Sequence, residues 1–167
     1  EPFFFRNRDR TDVGKLYGRV GQSFALIGSL AFLGIMLFID LALMILGDGY
    51  TERGSEIIPI ILMANLFLGI YYNFAIWYKL SDKTMVGMYI ALVGAGITLS
   101  MNFLLIPSWG YMASAWATFT CYAVMTVMAY LLGQKYYPIY YPIQRMAVYI
   151  LMALGCYFIS VWANGLL

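Results

Sequence analysis

Apolar residues in this chain come in long unbroken runs, and short polar breaks separate them. Five runs, at about 22–46, 57–78, 85–106, 111–133 and 146–164, are each long enough to be a membrane helix. A helix crossing the hydrocarbon core needs roughly 20 mainly apolar residues. Continuous runs argue against barrel strands, which alternate and span only ~9–11 residues. A helix also satisfies its own backbone in lipid, where no water can. The breaks Gly47-Asp48-Gly49, Ser81-Asp82-Lys83-Thr84 and Pro107-Ser108-Trp109-Gly110 are short enough to force antiparallel neighbours. The expectation is an all-α, polytopic transmembrane bundle of about five helices over 22–167. Residues 1–21 supply the end of a preceding helix and a basic connector.

Composition sharpens this picture. The chain is 63% hydrophobic and 11% charged, against roughly 25% charged for a soluble domain. The apolar excess must face lipid. The 15 tyrosines suit rings that sit at a membrane–water interface. A net charge of +2 is too small to imply nucleic acid as a partner. Cys121 and Cys156 lie inside apolar runs without CxxC spacing, and the chain has no His. Both cysteines are therefore expected to be small packing residues, with no metal site. A phosphate-binding glycine loop, a nucleophile elbow and paired carboxylates in one membrane layer are likewise missing from the sequence. The expectation is no enzyme, no catalytic residues and no cofactor. The chain opens on Glu1 without the basic start of a signal peptide, and a fragment of a longer protein is expected.

Charge sets the expected orientation. Arg6, Arg8, Arg10, Lys15 and Arg19 precede the first run, Lys79 and Lys83 flank the second break, and Lys135 and Arg145 flank the last. Nine of the 10 Lys and Arg residues thus share one side, and Arg53 alone takes the other. The positive-inside rule places the nine in the cytoplasm of a multi-pass protein. The basic connector is expected to rest on anionic headgroups, with a gate or phosphate-attracting patch as the alternative. The tandem Tyr136-Tyr137-Pro138-Ile139 and Tyr140-Tyr141-Pro142-Ile143 breaks the helix. Its four tyrosines are expected to anchor in the headgroup layer.

Small residues at four-residue spacing predict close packing. Gly87, Ala91 and Ala95, with Gly94 alongside, are set against Ala113, Ala117 and Cys121; Gly21, Ala25 and Ser29 mark the start of the first run. Asp40 is the one ionisable residue inside a predicted span, a type that commonly marks a pathway or relay. Asn65, Asn73, Asn102 and Thr118 are candidates for a polar cavity, with hydrogen bonding between helices as the simpler reading.

Several stretches taken together resemble a known family. These are Glu1-Pro2-Phe3-Phe4-Phe5, then Phe67-Leu68-Gly69-Ile70-Tyr71-Tyr72-Asn73 with Trp77-Tyr78-Lys79, then Lys83-Thr84 and Gly87. Asn102-Phe103-Leu104-Leu105-Ile106-Pro107 and Gly110-Tyr111-Met112-Ala113-Ser114-Ala115-Trp116-Ala117-Thr118 continue the pattern. The chain is similar in these to the O-antigen and capsule branch of the multidrug/oligosaccharidyl-lipid/polysaccharide flippases, whose members have two pseudo-symmetric lobes. The resemblance implies part of the later portion of such a molecule in a bacterial inner membrane. It implies alternating access for undecaprenyl-diphosphate-linked oligosaccharide, a lipid tail left in the bilayer, and coupling to a proton or sodium ion. Asp40 would be the coupling residue. The predicted helix cores hold no Lys or Arg for a diphosphate, so Arg19, Lys79 and Arg145 at the inner mouth would have to serve, or an absent lobe. A cation-coupled drug antiporter of the same superfamily and a non-transporting membrane assembly subunit are the alternatives.

Overall fold

The computed structural model describes residues 13–39 and 51–164. They form α1 (Val13–Leu37), α2 (Thr51–Phe74), a short α3 (Ile76–Leu80), α4 (Thr84–Trp109), α5 (Tyr111–Tyr136) and α6 (Ile143–Asn164). Among the described residues there is no strand. Five spans among the described residues, with α2 and α3 counted as one, are long and apolar enough to cross a membrane. This is the all-α bundle of a multi-pass membrane protein.

The boundaries depart from the apolar runs in two places. α1 begins nine residues before 22, because the connector continues the first span as helix. The second span is interrupted at Ala75, and α3 then carries the chain to Ser81. Asp82 adopts a positive φ of 54° in the following turn, a conformation that Asp tolerates. Its neighbours hold the turn: the Ser81 and Lys83 amides donate to the Trp77 and Tyr78 carbonyls.

One residue, Gly110, joins α4 to α5. It has φ 57° and ψ −137°, and its amide donates to the Ile106 carbonyl at 2.8 Å. A side chain would strain this conformation, so glycine makes the reversal possible. The tight link sets α4 antiparallel against α5.

The spans are ordered α4, α5, α2, α1, α6 across the bundle, since each packs chiefly on its neighbours in that series. The central α2 and α5 are a third buried, while α4 and α6 bury only 11% of their apolar windows. Phe103, 84% exposed on α4, and Ile159 on α6 belong to surfaces that lipid would cover.

Packing in lipid depends on backbone approach and interhelical bonds, not on a drive away from water. α5 buries Ala113, Ala117, Cys121, Met125, Ala129 and Gly133, one residue per turn. From α4 it receives Ile90 and Gly94, and Gly94 sits against Cys121 and Met125. The predicted α4–α5 seam is therefore present. Its α4 side is Ile90 and Gly94, Gly87 faces the Tyr78 ring of α3 instead, and Ala91 and Ala95 are exposed. On α1 the predicted Gly21, Ala25 and Ser29 are all buried. Gly21 faces the Tyr141 ring and Asn73, and Gly28 faces Leu66.

Candidate functional site

Side-chain bonds concentrate where α2, α3 and α5 meet. The Trp77 indole donates to the Ala129 carbonyl at 3.0 Å, and its ring stacks on Tyr136 with 20° between planes. The Lys83 ammonium lies 4.3 Å from the Tyr136 ring centre, within cation–π range. Further along, the buried Thr126 hydroxyl lies 2.9 Å from the Phe67 carbonyl and 2.7 Å from that of Tyr122 in its own helix.

Of the four tyrosines in the Tyr-Tyr-Pro-Ile tandem, Tyr141 alone is buried, while Tyr136 and Tyr140 are exposed and Tyr137 is partly so. Tyr140 is 80% exposed, but Ile139 and Tyr141 are buried. Tyr141 donates to the Asn73 carbonyl at 3.1 Å and packs on Phe74 with ring centres 4.6 Å apart. It thereby caps a last-turn carbonyl of α2. Burial pushes the Tyr141 phenol above its ordinary range. The Gln134 amide donates to the Ile139 carbonyl and fixes the loop on α5. Gly18 of α1 lies under the Tyr140 carbonyl. The loop is a wedge between α1, α2 and α5.

These contacts place Lys15, Arg19, Lys79, Lys83, Lys135 and Arg145 at one end of the bundle. Arg19 and Arg145 line a single pocket of about 350 Å³ together with Lys15, Gln22 and Tyr140. Lys79, the third inner-mouth candidate, belongs to α3 and does not line that pocket. The convergence joins residues 126 positions apart, and nothing in their local sequence marks it.

The polar candidates lie on three helices, Asn65 and Asn73 on α2, Asn102 on α4 and Thr118 on α5. Asn65, Asn73 and Thr118 donate to the carbonyls of Ile61, Gly69 and Ser114, each one turn back in its own helix. The Asn102 side-chain oxygen is buried without a hydrogen-bond partner. None of the four lines the pocket above or the three cavities that follow. Asp40 lies outside the described residues.

Apolar space opens on both flanks of α6. Between α6 and α5, over a floor of α2, two cavities of about 370 and 330 Å³ follow one another. The first is lined by Phe74, Tyr130 and Ala147, and the second by Met63, Trp116 and Phe158. The edge-to-face pair Phe67 and Phe119 stands where they meet. From Ile143 to Phe158 this cleft runs ~22 Å along α6. On the other flank, a groove of about 150 Å³ follows the α1–α6 seam between Leu26, Leu30 and Leu33 on one side and Met152 and Cys156 on the other. Cys156 is exposed there, while Cys121 is buried in the α4–α5 seam.

This geometry can hold long hydrocarbon in the cleft and an anion at the basic end. Comparison of the chain with family models, curated proteins and solved structures found no match to any of them.

Proposed function

We propose that this chain is the membrane-embedded part of a transporter that moves lipid-linked oligosaccharide across a bacterial inner membrane, its basic end in the cytoplasm. The observation that carries this reading is the apolar cleft between α5 and α6. It extends over about three-quarters of the ~30 Å hydrocarbon core and is lined almost wholly by carbon. A long polyprenyl tail suits such a cleft, while the sugar diphosphate crosses between this bundle and the remaining lobe. The family resemblance supplies the alternating-access scheme. Asp40 is the candidate for coupling to a proton or sodium ion.

Ala147 lines the cleft, and Val148 beside it is half exposed. In cells carrying the full gene product, Ala147→Trp is expected to cut export of surface polysaccharide by about tenfold or more. That is the loss anticipated when a binding contact worth over ~1.4 kcal/mol is blocked. Val148→Trp should leave export near wild type, and both variants should reach the membrane at equal level. Equal export from both would remove the cleft, and this reading with it.

A further inference from the structure

We infer that the α1–α6 seam is a binding site for one anionic glycerophospholipid, with its phosphate in the basic pocket and one acyl chain in the adjoining groove. The site is distinct from the α5–α6 cleft, because α6 separates the two.

The residues follow one another along two parallel helices. On α1, Lys15, Arg19 and Gln22 line the pocket, and Leu26 and Leu30 continue the same face into the groove. On α6, Arg145 lines the pocket and Met152 the groove. Between them the Gln22 amide donates to the Tyr149 hydroxyl at 3.0 Å. That polar pair stands where the ester region of a lipid would lie. Three cations therefore sit at the headgroup end and an apolar trough leads into the membrane, as an anionic amphiphile requires.

Length selects among amphiphiles. From the Gln22–Tyr149 pair, where the ester region would lie, to Leu33 at the far end of the groove is ~16 Å along α1, about the depth of one leaflet, which is half of the ~30 Å core. An acyl chain of a glycerophospholipid fills that depth. A polyprenyl tail would overrun it. Charge selects phosphatidylglycerol over phosphatidylcholine, whose headgroup carries its own cation.

The test uses the full chain in nanodiscs containing trace phosphatidylglycerol or phosphatidylcholine with a diazirine on the acyl chain, with cross-linked peptides mapped by mass spectrometry. Phosphatidylglycerol is expected to label 26–33 and 149–156 at least about fivefold more than phosphatidylcholine, the factor that one headgroup-facing cation supplies. The α4 stripe with Leu99 and Phe103 should show no such preference, and its labelling reports intact insertion in every variant. Lys15→Gln with Arg19→Gln and Arg145→Gln, which removes all three cations of the pocket, should erase the preference. Leu30→Trp, which fills the groove and keeps the cations, should clear acyl cross-links from the seam. Equal labelling by both lipids, or a preference that survives loss of all three cations, overturns the site. Unlabelled polyprenyl phosphate clearing the seam at lower mole fraction than unlabelled phosphatidylglycerol overturns its assignment to a phospholipid. Because the readout is binding alone, a failure of transport leaves it untouched.

Discussion

The α2–α5 seam and the α1–α6 seam join helices of similar length and apolarity, yet one is closed and the other gapes. Along α2–α5 and its α3 continuation, the Thr126 hydroxyl and the Trp77 indole of α3 reach across to backbone carbonyls, and Ala129 and Gly133 let the helices approach. Along α1–α6, the Gln22–Tyr149 bond and the Phe32–Tyr157 ring contact bracket a groove. Lipid tails are as apolar as leucine, so leucines alone give two helices little reason to prefer each other. A membrane seam is thus firm where small residues and directed hydrogen bonds coincide. Where leucines line a gap, a lipid chain competes on equal terms. The closed seam serves the fold, and the open one is available to a ligand.

The sharpest way to break this contrast is to overfill the closed seam. A Cβ on Gly133 would meet the Trp77 ring at 2.9 Å, and that ring is held by its own hydrogen bond and by stacking on Tyr136. Gly133→Leu is expected to destabilise the chain by about 1–3 kcal/mol, the usual range for overpacking, measured by unfolding in mixed micelles. Gly96 on α4 has open space around its Cβ position. Gly96→Ala should therefore be neutral or stabilise by up to ~1 kcal/mol through helix propensity.

A smaller effect should follow from deleting one polar contact in each seam. Trp77→Phe removes the bond to Ala129 and should cost about 0.6–2 kcal/mol, the range found for interhelical bonds in membranes. Gln22→Leu removes the bond to Tyr149 and should cost less, because that seam opens onto the basic pocket, where polar groups find other partners. If the two losses prove equal under the same unfolding conditions, the distinction between a firm and an open seam fails.

The sequence announced the spans more clearly than their partners. Run length gave five helices, because hydrocarbon thickness fixes how many apolar residues a crossing takes. The small-residue rows located the α4–α5 seam to within one helix face: Gly94 was alongside the predicted row, and Ala91 and Ala95 were on it but lie exposed. The break at Ala75 was hidden, since no Pro or Gly marks it. The pocket of Arg19 and Arg145 was half legible, because charge put both at one end while only tertiary packing could separate them from Lys79. The grooves beside α6 were not legible at all. A leucine facing a gap and a leucine facing a neighbour have the same chemistry in the sequence.

Tyr141 touches both seams, and its effect should be the smallest and the most dependent on pH. It packs on Gly21 of α1 and donates to the Asn73 carbonyl of α2. Burial raises its phenol above the ordinary value of 10.0 in the folded chain. A raised folded value means that the neutral phenol contributes its stability fully below about pH 10, where an unfolded tyrosine is also neutral. That contribution is lost as pH climbs beyond the unfolded value, since unfolding then releases a proton. Tyr141→Phe should therefore cost only a few tenths of a kcal/mol to ~1 kcal/mol near neutral pH, the net worth of one hydrogen bond. The deficit should shrink and then reverse above about pH 10, because phenylalanine has no proton to lose. Thermal unfolding of both chains near neutrality and again above that threshold makes the comparison. A deficit that stays constant across the two would mean that Tyr141 is wet, and that the loop does not wedge the two seams together.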